Sequence, residues 1–93
     1  MSAELAAPAP VKIMLSDNGK TITMKVGQQG IFPEFDDEDM IAISSMYDSV
    51  VQAIEMRPPY VIAISPGTST IALDDYNNGA PIMSFTVKVI DAP

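Results

Sequence analysis

The chain has no cysteine, no histidine and no tryptophan among its 93 residues. Without cysteine there is neither a disulfide nor a thiol nucleophile. Without cysteine and histidine together, the usual zinc ligands are missing, and so is any triad that runs through an imidazole base. Bases are scarce as well: five Lys and Arg stand against twelve acids, for a formal charge of −7. Lys12, Lys20, Lys25, Arg57 and Lys88 are scattered along the chain. The three that fall near Asp17 read as the solvated face of a strand. Phosphate backbones and anionic lipids repel such a surface, so neither nucleic acid nor membrane is an expected partner. The longest run of large apolar residues, Tyr60 to Ile64, is far short of the roughly 20 residues of a spanning helix. The first residues lack the basic region and apolar run of a signal peptide, which points to cytoplasmic synthesis.

Hydrophobic residues at 47% suit a globular chain rather than a disordered one. The length allows a single domain. A domain of this size removes only about 60–65% of its unfolded surface from water. With disulfides absent and no cofactor expected, homo-oligomerisation or docking on a larger protein assembly is the natural source of extra stability.

Residues 1–10, rich in Ala and Pro, form a distinct N-terminal arm ahead of a globular domain over 11–93. Pro8 and Pro10 forbid a continuing helix, and Leu5 is the one large apolar side chain between the initiator and Pro10. Val11 to Leu15 and Thr21 to Val26 have strand character, and Asn18-Gly19 between them predicts a β-hairpin. From Met40 the apolar spacing turns helical, with Met40, Ile43, Met46 or Tyr47, Val50 and Ile54 on one stripe. Asp36 or Asp37 would cap that helix, and Pro58-Pro59 would stop it. Tyr60 to Ser65 reads as a central strand, apolar on both faces. Thr70 to Asp74 and Ile82 to Ile90 are two more strands, joined by a turn at Asn78-Gly79. The predicted fold is therefore α+β, in the order ββαββ, with one helix packed on an antiparallel or mixed sheet. A β-sandwich, with 40–56 partly extended, is the alternative.

Glu34, Asp36, Asp37, Glu38 and Asp39 concentrate five carboxylates in six positions. A hard-cation site would need an ordered run of alternating ligands, which is missing. A solvated helix cap explains the cluster, and a contact with an electropositive partner protein is compatible with capping. Asp75, Asn77 and Gly79 have the early spacing of a calcium loop, but its twelfth position is Thr86 rather than an acid. Asp74 and Asp75 would point to opposite faces of a strand, which suits no acid–base pair. The hydroxyls from Ser65 to Thr70 have no Lys or His to activate them. No glycine pair is followed by the Lys-Ser/Thr of a phosphate loop. Met14, Met24, Met40, Met46, Met56 and Met83 suit a core, and an adaptable Met-rich binding face is the alternative. An enzyme is not expected.

In general character the chain resembles the small accessory proteins of tailed-phage virions, of the capsid decoration or cement kind. The Ala3 to Pro10 arm, the Asn18-Gly19 and Asn78-Gly79 turns, the absence of cysteine and the acidic surface carry that resemblance, which specifies no single residue. It implies a non-enzymatic, oligomeric protein that grips a capsid lattice through residues 1–10, among them Leu5, Pro8 and Pro10, and through a strand edge. Such an arm can add a strand to a neighbour's open edge. A small acidic inhibitor that imitates nucleic acid and binds a basic protein, contacting it through Glu34, Asp36, Asp37 and Asp39, is the alternative. Two variants separate these expectations. Deletion of residues 1–10 abolishes partner capture in the first case and leaves the 11–93 fold intact. Neutralising Asp36, Asp37 and Asp39 abolishes it in the second, as a pull-down across a salt series would record.

Overall fold

The computed structural model describes residues 9–91. Eight strands make up the fold: β1 (Val11–Lys12), β2 (Thr21–Lys25), β3 (Gln29–Ile31), β4 (Ile41–Ser45), β5 (Val51–Ile54), β6 (Tyr60–Ala63), β7 (Gly67–Asp75) and β8 (Pro81–Ile90). They form two four-stranded sheets, ordered β1-β3-β6-β5 and β2-β8-β7-β4. Each sheet is mixed: β1 runs parallel to β3 and β2 parallel to β8, and every other pairing is antiparallel. Leu5 and Pro8 of the expected arm lie outside the described residues. Pro10 is exposed. Beside it, the Ala9 carbonyl accepts a hydrogen bond from Gln28 Nε2 at 2.7 Å.

The two sheets face each other across one apolar core, which strand alternation builds. Met83, Phe85, Val87 and Val89 of β8 point inward, as their two-residue spacing predicts. Ile71 and Leu73 of β7, Met24 of β2 and Ile43 of β4 complete that sheet's contribution. Opposite them sit Val51 of β5 and Val61 and Ala63 of β6, with Ile13 and Phe32 from the segments that follow β1 and β3. Full burial of each large aliphatic or aromatic side chain contributes about 1.5–3 kcal/mol. β6 is an interior strand of its sheet, paired with β3 on one side and β5 on the other, as its composition predicts.

The α+β expectation is corrected: no helix packs on either sheet, and the only helical turn among the described residues is the 3-10 turn Leu15–Asp17. Residues 40–56 are instead two strands in different sheets, joined by a turn in which the Tyr47 carbonyl accepts from the amides of Val50 and Val51. Met46 and Tyr47, placed on the helical stripe, are 65% and 55% exposed. Their neighbours explain the outcome. Ile41, Ile43, Val50, Val51 and Ile54 are β-branched, and Ser44-Ser45 and Asp48-Ser49 compete with helical hydrogen bonding. The arrangement is that of the sandwich held as the alternative.

The first hairpin is corrected too. β1 and β2 lie in different sheets, and residues 13–15 are not strand. A hairpin turn of the primed type needs positive φ at Asn18, but Asn18 adopts φ −53° and ψ 129°, with Gly19 at φ 80°. That pair is a type II turn, closed by Lys20 N–H to the Asp17 carbonyl at 2.9 Å. The turn docks on β8: Ser84 N–H donates to Asn18 Oδ1 at 2.9 Å, and Gly19 N–H donates to the Ser84 carbonyl at 2.7 Å. The second turn does join antiparallel neighbours, β7 and β8, with a bulge between Leu73 and Asp74.

Gly30 marks the tightest approach between the sheet backbone and the core. A Cβ there would stand 2.7 Å from both Ile13 Cδ1 and Val61 Cγ2. Gly30→Ala is expected to destabilise the fold by about 1–3 kcal/mol through overpacking, read as a lower urea midpoint at unchanged m-value.

Candidate functional site

Strand direction decides which loops meet. β3, β5 and β7 run toward one end of the sandwich, and β4, β6 and β8 leave from it, as the pairing of Ile31 and Ile54 with Tyr60 and of Ile41 with Asp75 requires. Residues 32–40, 55–59 and 76–80 therefore lie together at that end. They enclose a shallow recess lined by Met40, Ile41, Glu55, Met56, Arg57 and Tyr76. Tyr76 N–H donates to the Met40 carbonyl at 3.0 Å and ties two of the three loops. Met56 and Tyr76 are 58% and 62% exposed.

Each loop is stiffened locally. The 32–40 loop is anchored by Phe32, whose ring lies 6.0 Å from that of Phe85 in the core and 5.9 Å from that of Phe35 further along the loop. Asp36 and Asp39 cap each other's turn: Asp36 N–H donates to Asp39 Oδ2 at 3.0 Å, and Glu38 N–H to Asp36 Oδ1 at 2.9 Å. Glu34 reaches across to accept from the amide of Leu15. In the 76–80 loop, Asp75 Oδ1 accepts from Asn77 N–H and Asn78 Oδ1 from Ala80 N–H, both at 2.8 Å. In the 55–59 loop, Met56 N–H donates to the Ile54 carbonyl at 3.1 Å, and Pro59 is buried.

The acidic residues singled out in the sequence thus cap a loop rather than a helix. Glu34, Asp36 and Asp39 hold backbone amides, and Asp37 is exposed. Asp17, Glu34, the run from Asp36 to Asp39, Glu55, Asp74 and Asp75 all lie at this end, against Lys20 and Arg57. Lys12, paired with Ile31, also lies there, so nine acids face three bases at this end, and the other charged side chains among the described residues, Asp48, Asp91, Lys25 and Lys88, balance each other. Among the described residues, no group of three or more carboxylates is placed to hold a metal ion.

The hydroxyl-rich stretch after Ser65 has a structural task at the opposite end. Ser69 is 1% exposed. Its Oγ lies 2.8 Å from Ser45 Oγ and accepts from Tyr47 N–H at 2.9 Å. Met56, like Met14 and Met46, is expected from the sequence to fill the core and is instead exposed, and Tyr76 reads there only as part of a turn. The proximity of Met56 and Tyr76 follows from strand order, and the only local signal was a large apolar residue beside a breaker, Met56 before Pro58-Pro59 and Tyr76 before Asn77-Asn78-Gly79.

The molecule is a two-sheet β-sandwich with a loop-built recess at one end. No protein-family model and no curated protein matches the sequence. Solved structures do share the fold. The crystal structure of the cysteine protease inhibitor EhICP2 from Entamoeba histolytica matches with a TM-score of 0.50 and 16% identity, over 90% of this chain and 96% of that one. The solution structure of Amebosin matches with a TM-score of 0.52 and 14% identity, over 87% of this chain and 98% of that one. At these identities the likeness is one of fold.

Proposed function

We propose that this chain is a non-enzymatic binding domain that inserts the loop end of its sandwich into a recess of a partner protein, and that the partner is a cysteine protease. The observation that carries the reading is the convergence of three separately braced loops on exposed Met56 and Tyr76. Exposed aromatic and methionine side chains on a rigid support are the typical anchors of a protein interface, because little conformational entropy is lost when they bind. The fold shared with a cysteine protease inhibitor supports the choice of partner. This docking surface is distinct from the N-terminal arm and strand edge expected from the sequence, whose Leu5 and Pro8 lie outside the described residues.

The charge at the same end favours a second reading, an acidic inhibitor of a basic, nucleic-acid-handling protein. Enzyme assays separate the two. In the first, the purified chain slows peptide hydrolysis by at least one cysteine protease of a panel. Met56→Asp combined with Tyr76→Asp then raises the inhibition constant at least tenfold, about 1.4 kcal/mol, with unchanged thermal unfolding. No inhibition of any panel member at hundredfold molar excess rejects the protease reading and leaves the second standing.

A further inference from the structure

The outer face of the β1-β3-β6-β5 sheet carries a second surface, which continues onto the 32–40 and 55–59 loops. Inward residues alternate with outward ones, so when Gly30, Val61 and Ala53 face the core, Ile31, Tyr60 and Ile54 form a cross-strand row on the outside. Ile62 stands beside that row between Gln29 and Gln52. Ile31, Ile54, Tyr60 and Ile62 are half-buried but pack outside the core cluster. The row runs into a groove of about 300 Å³, whose apolar walls are Ile31, Phe32, Pro33, Phe35, Pro58 and Tyr60. A β-strand apolar on both faces is normally covered on both. Here one of the two faces has no layer over it among the described residues.

Charge identifies what would cover it. Immediately after Phe35 the chain presents Asp36, Asp37 and Glu38, all exposed. Two bases stand near the groove, Lys12, which pairs with Ile31, and Arg57, which precedes Pro58, and the five carboxylates of Glu34 and Asp36 to Asp39 outnumber them. A second copy of this chain would bring two strongly acidic ends together, which like-charge repulsion opposes. Nucleic acid is repelled outright. We infer that the groove and the Ile31–Tyr60–Ile54 row bind a segment of a partner protein in which apolar side chains are followed by Lys or Arg, the apolar part filling the groove and the basic part lying against Asp36 to Glu38. This surface is independent of the loop-end reading, because it requires no protease and uses neither Met56 nor Tyr76.

Fluorescently labelled octapeptides test it directly with the full chain. One carries four apolar residues and then lysines, one replaces the lysines by glutamates, and one replaces the apolar residues by serines. The first is expected to bind in fluorescence anisotropy, at least tenfold more tightly than either control. Its affinity should fall at least fivefold when Asp37→Lys and Glu38→Lys are combined, since neither side chain holds the backbone. Ile31→Thr with Ile54→Thr, which keeps β-branched residues on the strands, should weaken it by a similar factor. Equal binding of the serine control overturns the groove, and equal binding of the glutamate control overturns the basic partner. Absence of binding by all three overturns the whole inference. Protease inhibition can succeed or fail in each of these cases, so the two readings stand or fall separately.

Discussion

The packing of Phe32 between Phe85 and Phe35 is the contact on which the rest depends. Phe32 is 2% exposed and follows β3 directly, so its ring belongs to the core while its backbone begins the loop that crosses to the other sheet. Aromatic rings bury large areas and gain from tilted contacts at these separations. Fixing Phe32 therefore fixes the direction in which the 32–40 loop leaves the sandwich. Phe35, carried 5.9 Å from it, becomes a wall of the outer groove rather than a solvated side chain. Core closure, loop placement and groove are consequences of one stack.

The distribution of charge follows a different logic. Asp36, Asp39, Asp75 and Glu34 satisfy backbone amides that a loop would otherwise leave to water. Those tasks need only the acceptor oxygens, which Asn or Gln also supplies. Among the described residues, the Asp37 side chain makes no hydrogen bond to the protein, and Glu38 contributes its amide rather than its carboxylate. Crowding carboxylates within a few residues costs self-repulsion over the Debye length, about 8 Å at physiological salt. The fold gains nothing from bearing that cost at one end. A field that extends from the loop end toward an oppositely charged surface does gain, by orienting the encounter.

The strands that sequence patterning locates are those with long, uninterrupted alternation. β8 offers Met83, Phe85, Val87 and Val89 in strict register, and β6 is rich enough in apolar residues to mark an interior strand. Residues 40–56 misled because two short strands of opposite direction put Ile43, Val50 and Ile54 at spacings that also fit a helix. The β-branched content and paired serines were the better guide, and tertiary pairing decided. Asn18-Gly19 misled for a related reason: the dipeptide specifies a turn, but turn type depends on whether Asn18 takes positive φ, and docking on Ser84 holds it negative. The acidic run was visible as composition and its geometry was not. Met56 and Tyr76 are 20 residues apart in the chain and meet only through strand order.

The apolar pattern of Tyr60 to Ile64 holds the further lesson. Composition marks β6 as covered on both sides, and the sandwich covers only the side of Val61 and Ala63. The row around Tyr60 retains that character at the outer face, where a polar residue would cost the fold nothing. Along β3 and β5 its next outward positions are the uncharged Gln29 and Gln52, which reduce the desolvation cost of covering the face, and Lys12 of β1 flanks it beside Ile31. At the opposite end of the molecule Ser69 and Ser45 bind each other and the Tyr47 amide, using their polar groups internally. The β6 outer face is built for contact, and the acids beyond Phe35 set the charge of what it meets.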